Sequence, residues 1–160
     1  LSPAAAGAVM TAQPAAMVAL AAFAGWLSDR IGTRIPATVG MATIAAGLWA
    51  VAGLGPAASA GQVAAFLAVI GLGAGLFTAP NNSSIMGAAP RDRQGVAAAL
   101  LAAARNVGMV TGVTIASTLF AHLRLQTDFL AAFRGTLSVG VALAALSALL
   151  SLVRPTRPRP

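Results

Sequence analysis

Five apolar stretches of membrane-crossing length, separated by short polar breaks, constrain this chain more than any other feature. They run about 4–28, 35–54, 62–86, 95–121 and 132–153. A hydrocarbon layer ~30 Å thick is crossed by ~20 residues of α-helix at 1.5 Å per residue. Inside that layer a helix satisfies its backbone N–H and C=O groups without help from water, which an open strand cannot do. Bilayer strands would need alternating segments of ~10 residues, and none is present. The expected fold is an all-α integral membrane bundle with five transmembrane helices.

The composition agrees. The chain is 58% hydrophobic and 8% charged, where a soluble domain is about 45–50% apolar and about 25% charged. So few charges cannot cover a soluble core. A disordered tail, a coiled coil and an ordinary cytosolic enzyme are excluded. All ten basic residues are arginine, and three aspartates leave a net charge of +7. In a soluble protein that balance would point to nucleic acid. Here the arginines sit in breaks between apolar runs with few aromatics, so no nucleic-acid partner is expected. The absence of cysteine removes disulfides and thiolate metal sites. One histidine and three scattered aspartates make no metal cluster, and no cofactor is expected. The opening residues lack the basic n-region of a signal peptide. They read as the middle of a longer polypeptide.

Arginine placement orients the helices. If the runs alternate in direction, Arg30, Arg34, Arg91, Arg93, Arg154, Arg157 and Arg159 share one side. Arg124 and Arg134 take the other, and Arg105 lies within the fourth run. Seven against two assigns the first side to the cytoplasm. The expected location is the cell (inner or plasma) membrane, multi-pass, with residues 154–160 as a cytoplasmic Arg/Pro tail. Trp26 and Trp49 fall near run ends, where they act either as interface aromatics or as lipid-facing packing. Gly71 and Gly75, like Gly108 and Gly112, are four apart on one helix face. Such smooth patches serve close packing within the bundle or, less often, a dimer interface.

Residues 25–34 hold the sharpest motif: Gly25, Leu27, Ser28, Asp29, Arg30, Gly32 and Arg34. Gly25 would let a neighbouring helix approach. Asp29 would accept from backbone N–H groups at a helix start. Arg30 and Arg34 would pair with it, and Gly32 would allow a tight reversal. As a unit these residues form a charge latch between two helices. A purely topogenic role explains the arginines but not the aspartate and glycines. The segment resembles the major facilitator superfamily loop motif G-x-L-[SA]-D-R-x-G-x-R.

A second series runs Gly71, Gly73, Gly75, Phe77, Pro80, Asn81 and Asn82. It continues through Arg105, Asn106, Gly108 and Gly112. It is similar to the late half of the fourteen-helix drug:proton antiporters (EmrB/QacA type), with G-x-G-x-G-x-F-x-x-P-N-N followed by R-x-x-G-x-x-x-G. The resemblance implies an incomplete six-helix C-terminal half, with residues 1–153 as helices two to six. In that superfamily two halves flank a cavity and rock to alternate access. It further implies proton-coupled export of hydrophobic or cationic compounds. The partners implied are a small-molecule substrate, the lipid bilayer and a missing N-terminal half. A major facilitator uptake carrier for another solute, and a non-transporting interaction module, are the alternatives.

The chemistry of individual residues refines this. Pro80 cannot donate to the Leu76 carbonyl, so a freed acceptor and a kink are expected there. Asn81 and Asn82 are candidates for hydrogen bonds to substrate or across helices, unless the helix ends there. Arg105 lies ten residues beyond Gly95, so up to ~15 Å along the fourth helix. An unpaired guanidinium at that depth costs at least ~3 kcal/mol. Asp29, Asp92 and Asp128 all lie in the breaks, so Arg105 is expected to meet a cavity or the other half, or to snorkel to the surface. Gln13, beside Pro14, is a weaker polar candidate. With His122 at a run end, a proton-coupling carboxylate must come from outside this chain. The glycine triplet is not a phosphate loop, because no strand precedes it. Ser138 lacks the G-x-S-x-G spacing of a hydrolase.

Overall fold

A computed structural model describes residues 2–153. Five α-helices account for nearly all of it: α1 Pro3–Ile31, α2 Arg34–Ala52, α3 Ala60–Ala88, α4 Gln94–Arg124 and α5 Phe129–Val153. A single 3-10 turn, Arg91–Arg93, precedes α4. Each of the five is long and apolar enough to cross a membrane. The seven-residue tail expected at 154–160 lies outside the described residues.

Local chemistry fixes the helix ends. Ser2 accepts from the Ala5 N–H at the start of α1, and Pro3 occupies the first helical position, where its missing donor costs nothing. Ser59 and Gln62 form a reciprocal capping box on α3: the Ser59 N–H donates to Gln62 Oε1 (2.9 Å) and the Gln62 N–H to Ser59 Oγ (3.2 Å). The Asp128 carboxylate accepts from the Ala131 N–H at the start of α5. Each cap satisfies a donor that the first helical turn leaves open.

The helices pack as a row in the order α1, α3, α2, α5, with α4 set apart. Glycines bring the first three close. A Cβ on Gly71 would overlap the Gln13 carbonyl of α1, and one on Gly75 would lie 2.7 Å from the Met17 carbonyl. Gly73, two residues from each and therefore on the opposite flank, faces α2. Its Cβ would lie 2.7 Å from the Gly40 carbonyl, and a Cβ on Gly40 would lie 2.7 Å from the Gly73 carbonyl. Gly47 meets the Ile70 side chain instead, whose Cγ1 would lie 2.6 Å from a Cβ there. At the Gly71, Gly73 and Gly75 contacts the nearest neighbour is main chain. Bare backbone meets bare backbone, which is how helices associate where lipid offers no hydrophobic contrast.

Helix α4 differs from the rest. All its residues from 102 to 118 are exposed. It meets α5 at their shared hairpin, where Phe120 and Phe129 stack edge to face at 5.6 Å and Leu123 covers Gly135. Gly108 and Gly112 have open space around them. The expected bundle packing through this pair is therefore absent among the described residues, while the Gly71 and Gly75 pair does pack.

Two further expectations change. Helix α1 continues through Asp29 and Arg30 to Ile31, so Asp29 lies in the last turn of a helix and not at the start of one. Gly25 has nothing within 4 Å of a hypothetical Cβ. Close packing at this level falls to Ala24 and Ser28, which are buried, because helical phase turns those two inward. As the 62–86 run implies, α3 does not end at the asparagines. It passes through a buried Pro80 and runs two further turns to Ala88.

Candidate functional site

The residues singled out above occupy three places. The first is the α1–α2 junction. Gly32 adopts φ 87° and ψ 166°, the one positive φ among the described residues. This region is essentially reserved for glycine, and it reverses the chain within two residues. Arg30 lies over the Trp26 ring, 4.4 Å from its centroid, a cation–π contact at a helix end. Arg34 opens α2 and donates through Nη2 to the Leu152 carbonyl in the last turn of α5. In this conformation Arg34 thus reaches α5, a partner 118 positions away that the motif itself does not disclose.

A second arginine repeats the arrangement at the other end of the same pair. Arg134, early in α5, donates through Nε to the Ala52 carbonyl (3.0 Å) and through Nη2 to the Leu54 carbonyl (3.4 Å). Helices α2 and α5 are therefore antiparallel, and each contributes an arginine from its first turns to the terminal carbonyls of the other. Both guanidinium groups sit at helix C-termini, where the backbone dipole favours a cation. Sequence reading treats Arg134 only as a charge on the minority side. Its contact spans 82 positions, and no local pattern marks it.

The second place is the C-terminal third of α3. Pro80 is fully buried, and Asn81 and Asn82 are half-buried one and two positions beyond it. The third is α4, where Arg105, Asn106, Gly108 and Gly112 all lie in the exposed stretch. Among the described residues no hydrogen bond or ion pair holds Arg105. Thus the residues of the 25–34 motif cluster at one end of the bundle, the proline and asparagines sit within α3, and the Arg105 group stands on a helix apart.

His122 contacts Gln126 at 3.3 Å on the exposed end of α4. Gln13 contributes its backbone, not its amide, to the bundle: its carbonyl lies against Gly71. Trp26 and Trp49 are 48% and 72% exposed near helix ends.

Comparison with known proteins follows the same outline. The riboflavin transporter RibZ of Clostridioides difficile (strain 630) is 37% identical over 122 residues, covering 76% of this chain and 27% of RibZ. The uncharacterized transporter YebQ of Escherichia coli (strain K12) is 29% identical over 153 residues, covering 96% of this chain and 32% of YebQ. A triacylglyceride transporter of Mycolicibacterium smegmatis is 33% identical over 99 residues, covering 56% of this chain and 18% of that protein. The chain spans less than a third of the length of each of these relatives. No solved structure matches it significantly. The profile of the Major Facilitator Superfamily matches residues 1–160. Five membrane-length helices, the 25–34 loop motif and this match over the whole chain agree: the chain belongs to the major facilitator superfamily.

Proposed function

We propose that the protein is a proton-coupled exporter of hydrophobic or cationic small molecules, of the fourteen-helix drug antiporter type, and that this chain supplies part of one half. The observation that supports a transport role most directly is Arg105 on the open stretch of α4. A guanidinium left facing hydrocarbon at mid-helix costs at least ~3 kcal/mol. In the whole protein that face of α4 turns to a polar cavity or to the other half, and Asn106 with it. Gly108 and Gly112 keep the same helix free of bulk for a close neighbour.

The coupling acid lies in the remaining polypeptide. Asp29 closes α1, Asp92 lies in the turn before α4, and Asp128 caps α5. None stands mid-helix, where a proton relay works. The 25–34 loop serves as the cytoplasmic latch, made in one transport state and broken in the other. Pro80, Asn81 and Asn82 form a hinge and polar lining on α3.

Transport by the whole protein in inverted membrane vesicles tests this reading. An imposed proton gradient should drive uptake of a lipophilic cation into the vesicles, and Arg105→Leu should lower the rate at least tenfold. A gradient-independent rate would refute it. A second reading has its own support in the identity with the riboflavin transporter: uptake of a planar, uncharged solute of flavin type. Riboflavin accumulation in cells, with no movement of the lipophilic cation, would select that reading.

A further inference from the structure

We infer that the depression around Arg134 is a binding site for the headgroup of an anionic phospholipid. The open depression lies between the ends of α2, α3 and α5 and has a volume of about 610 Å³. Its walls are apolar, chiefly Trp49, Leu54 and Phe66, and its polar members are Arg134 and Ser138. On a bundle of five membrane-length helices, an apolar recess of this kind at a helix end borders the interfacial layer of the bilayer. An acyl chain fills such walls. The headgroup it carries is decided by Arg134.

Three features select an anion. A guanidinium has five N–H donors. The Ala52 and Leu54 carbonyls take one each, and the other donors make no hydrogen bond among the described residues. Among those residues no carboxylate lies within 4.0 Å of the guanidinium. Its two partners are neutral carbonyls at a helix C-terminus, which together carry only about half a negative charge. Part of the positive charge is therefore uncompensated, and it faces a cavity with donors to spare. A phosphate accepts two parallel N–H bonds from one guanidinium edge, and a net anionic headgroup answers the residual charge. Trp49, 72% exposed, stands beside it as an amphipathic ring at the level where headgroups begin.

The same geometry distinguishes this site from the Arg30 and Trp26 pair at the opposite end. There the guanidinium lies on the indole face, 4.4 Å from the ring centroid, and is already engaged by it. Arg134 combines unused donors, a residual charge and an adjoining apolar recess.

Trp49 provides the probe. The whole protein is reconstituted in vesicles in which a tenth of the lipid is either brominated phosphatidylglycerol or brominated phosphatidylcholine. The Trp49 signal is obtained by subtracting the signal of Trp49→Phe. One juxtaposed charge is worth about fivefold in relative lipid affinity, so phosphatidylglycerol should quench Trp49 with about fivefold preference. Arg134→Lys should keep that preference, and Arg134→Gln should abolish it. Ser138→Glu places a carboxylate one turn from Arg134 on the same helix face. It should abolish the preference while leaving the α2 cap in place, and so reports even if Arg134→Gln fails to assemble. Equal quenching by the two lipids in the unaltered protein, or a preference that survives Ser138→Glu, overturns the proposal.

Discussion

Arg134 Nε lies 3.0 Å from the carbonyl oxygen of Ala52, so the sixth residue of α5 closes the last turn of α2. With Arg34 and Leu152 at the far end, the two helices are fastened at both extremities, and helical phase is fixed between them. Replacing Arg134 with alanine removes a charged donor from two terminal carbonyls. The exposed setting lowers the cost of losing such bonds. We expect a loss of about 1 kcal/mol, read as a lower melting temperature of the detergent-solubilised protein. The Arg34→Ala, Arg134→Ala double variant should lose roughly the sum, because the two contacts lie at opposite ends of the helices.

The α2–α3 crossing predicts a sharper effect. A methyl on Gly73 meets the Gly40 carbonyl, the Ile44 side chain and the Ile44 N–H, all within 3.0 Å. Two of these are backbone atoms and cannot swing aside. Gly73→Ala should cost ~1–3 kcal/mol through overpacking. Gly7→Ala, with open space around it, should stabilise its helix by about 0.5–1 kcal/mol. Thermal melts of the two variants should therefore move in opposite directions.

Gly32 makes a conformational prediction independent of packing. Nothing lies within 4 Å of its hypothetical Cβ, yet its φ is 87°. Gly32→Ala should cost ~1–3 kcal/mol in backbone strain alone. Gly25→Ala, about two helical turns earlier and with no steric neighbour within 4 Å of its Cβ position, should be tolerated. Yield of folded protein in the membrane, compared for the two, checks this.

Orientation is a fourth test. Seven arginines on one side against two on the other predict a cytoplasmic C-terminus. A reporter fused after Pro160 should be active only in the cytoplasm, and one inserted at Gly55, in the turn between α2 and α3, only on the opposite face. Reversal of both would invert the assignment of the latch to the cytoplasmic side.

Much of this architecture is legible in the sequence because the bilayer permits so few backbone solutions. The hydrophobic runs announce the helices, and the spacing of Gly71, Gly73 and Gly75 already places the middle glycine opposite the other two. The ends are less legible. Helix α1 absorbs Asp29 and Arg30, since no proline falls between Pro14 and Gly32 to stop it, and that moves Asp29 from the start of one helix to the end of another. Gly25 fails as a packing site because its neighbours Ala24 and Ser28 carry the inward phase. The partners of Arg34 and Arg134 lie 118 and 82 positions away, and only the assembled row of helices brings them near. For Gly108 and Gly112 the spacing marks a smooth face without saying what it meets.

The alternating glycines of α3 have a mechanical consequence. Where Gly71, Gly73 and Gly75 abut Gln13, Gly40 and Met17, the nearest atom to each would-be Cβ is a backbone carbonyl oxygen, which cannot swing aside as a side chain can. A small axial twist of α3 drives one carbonyl into the next, and the close-packed interior transmits the push without damping. Helices α1, α3 and α2 therefore resist turning or sliding past one another and hold together as one meshed unit, whereas α4, exposed from 102 to 118, is not locked to them in this way.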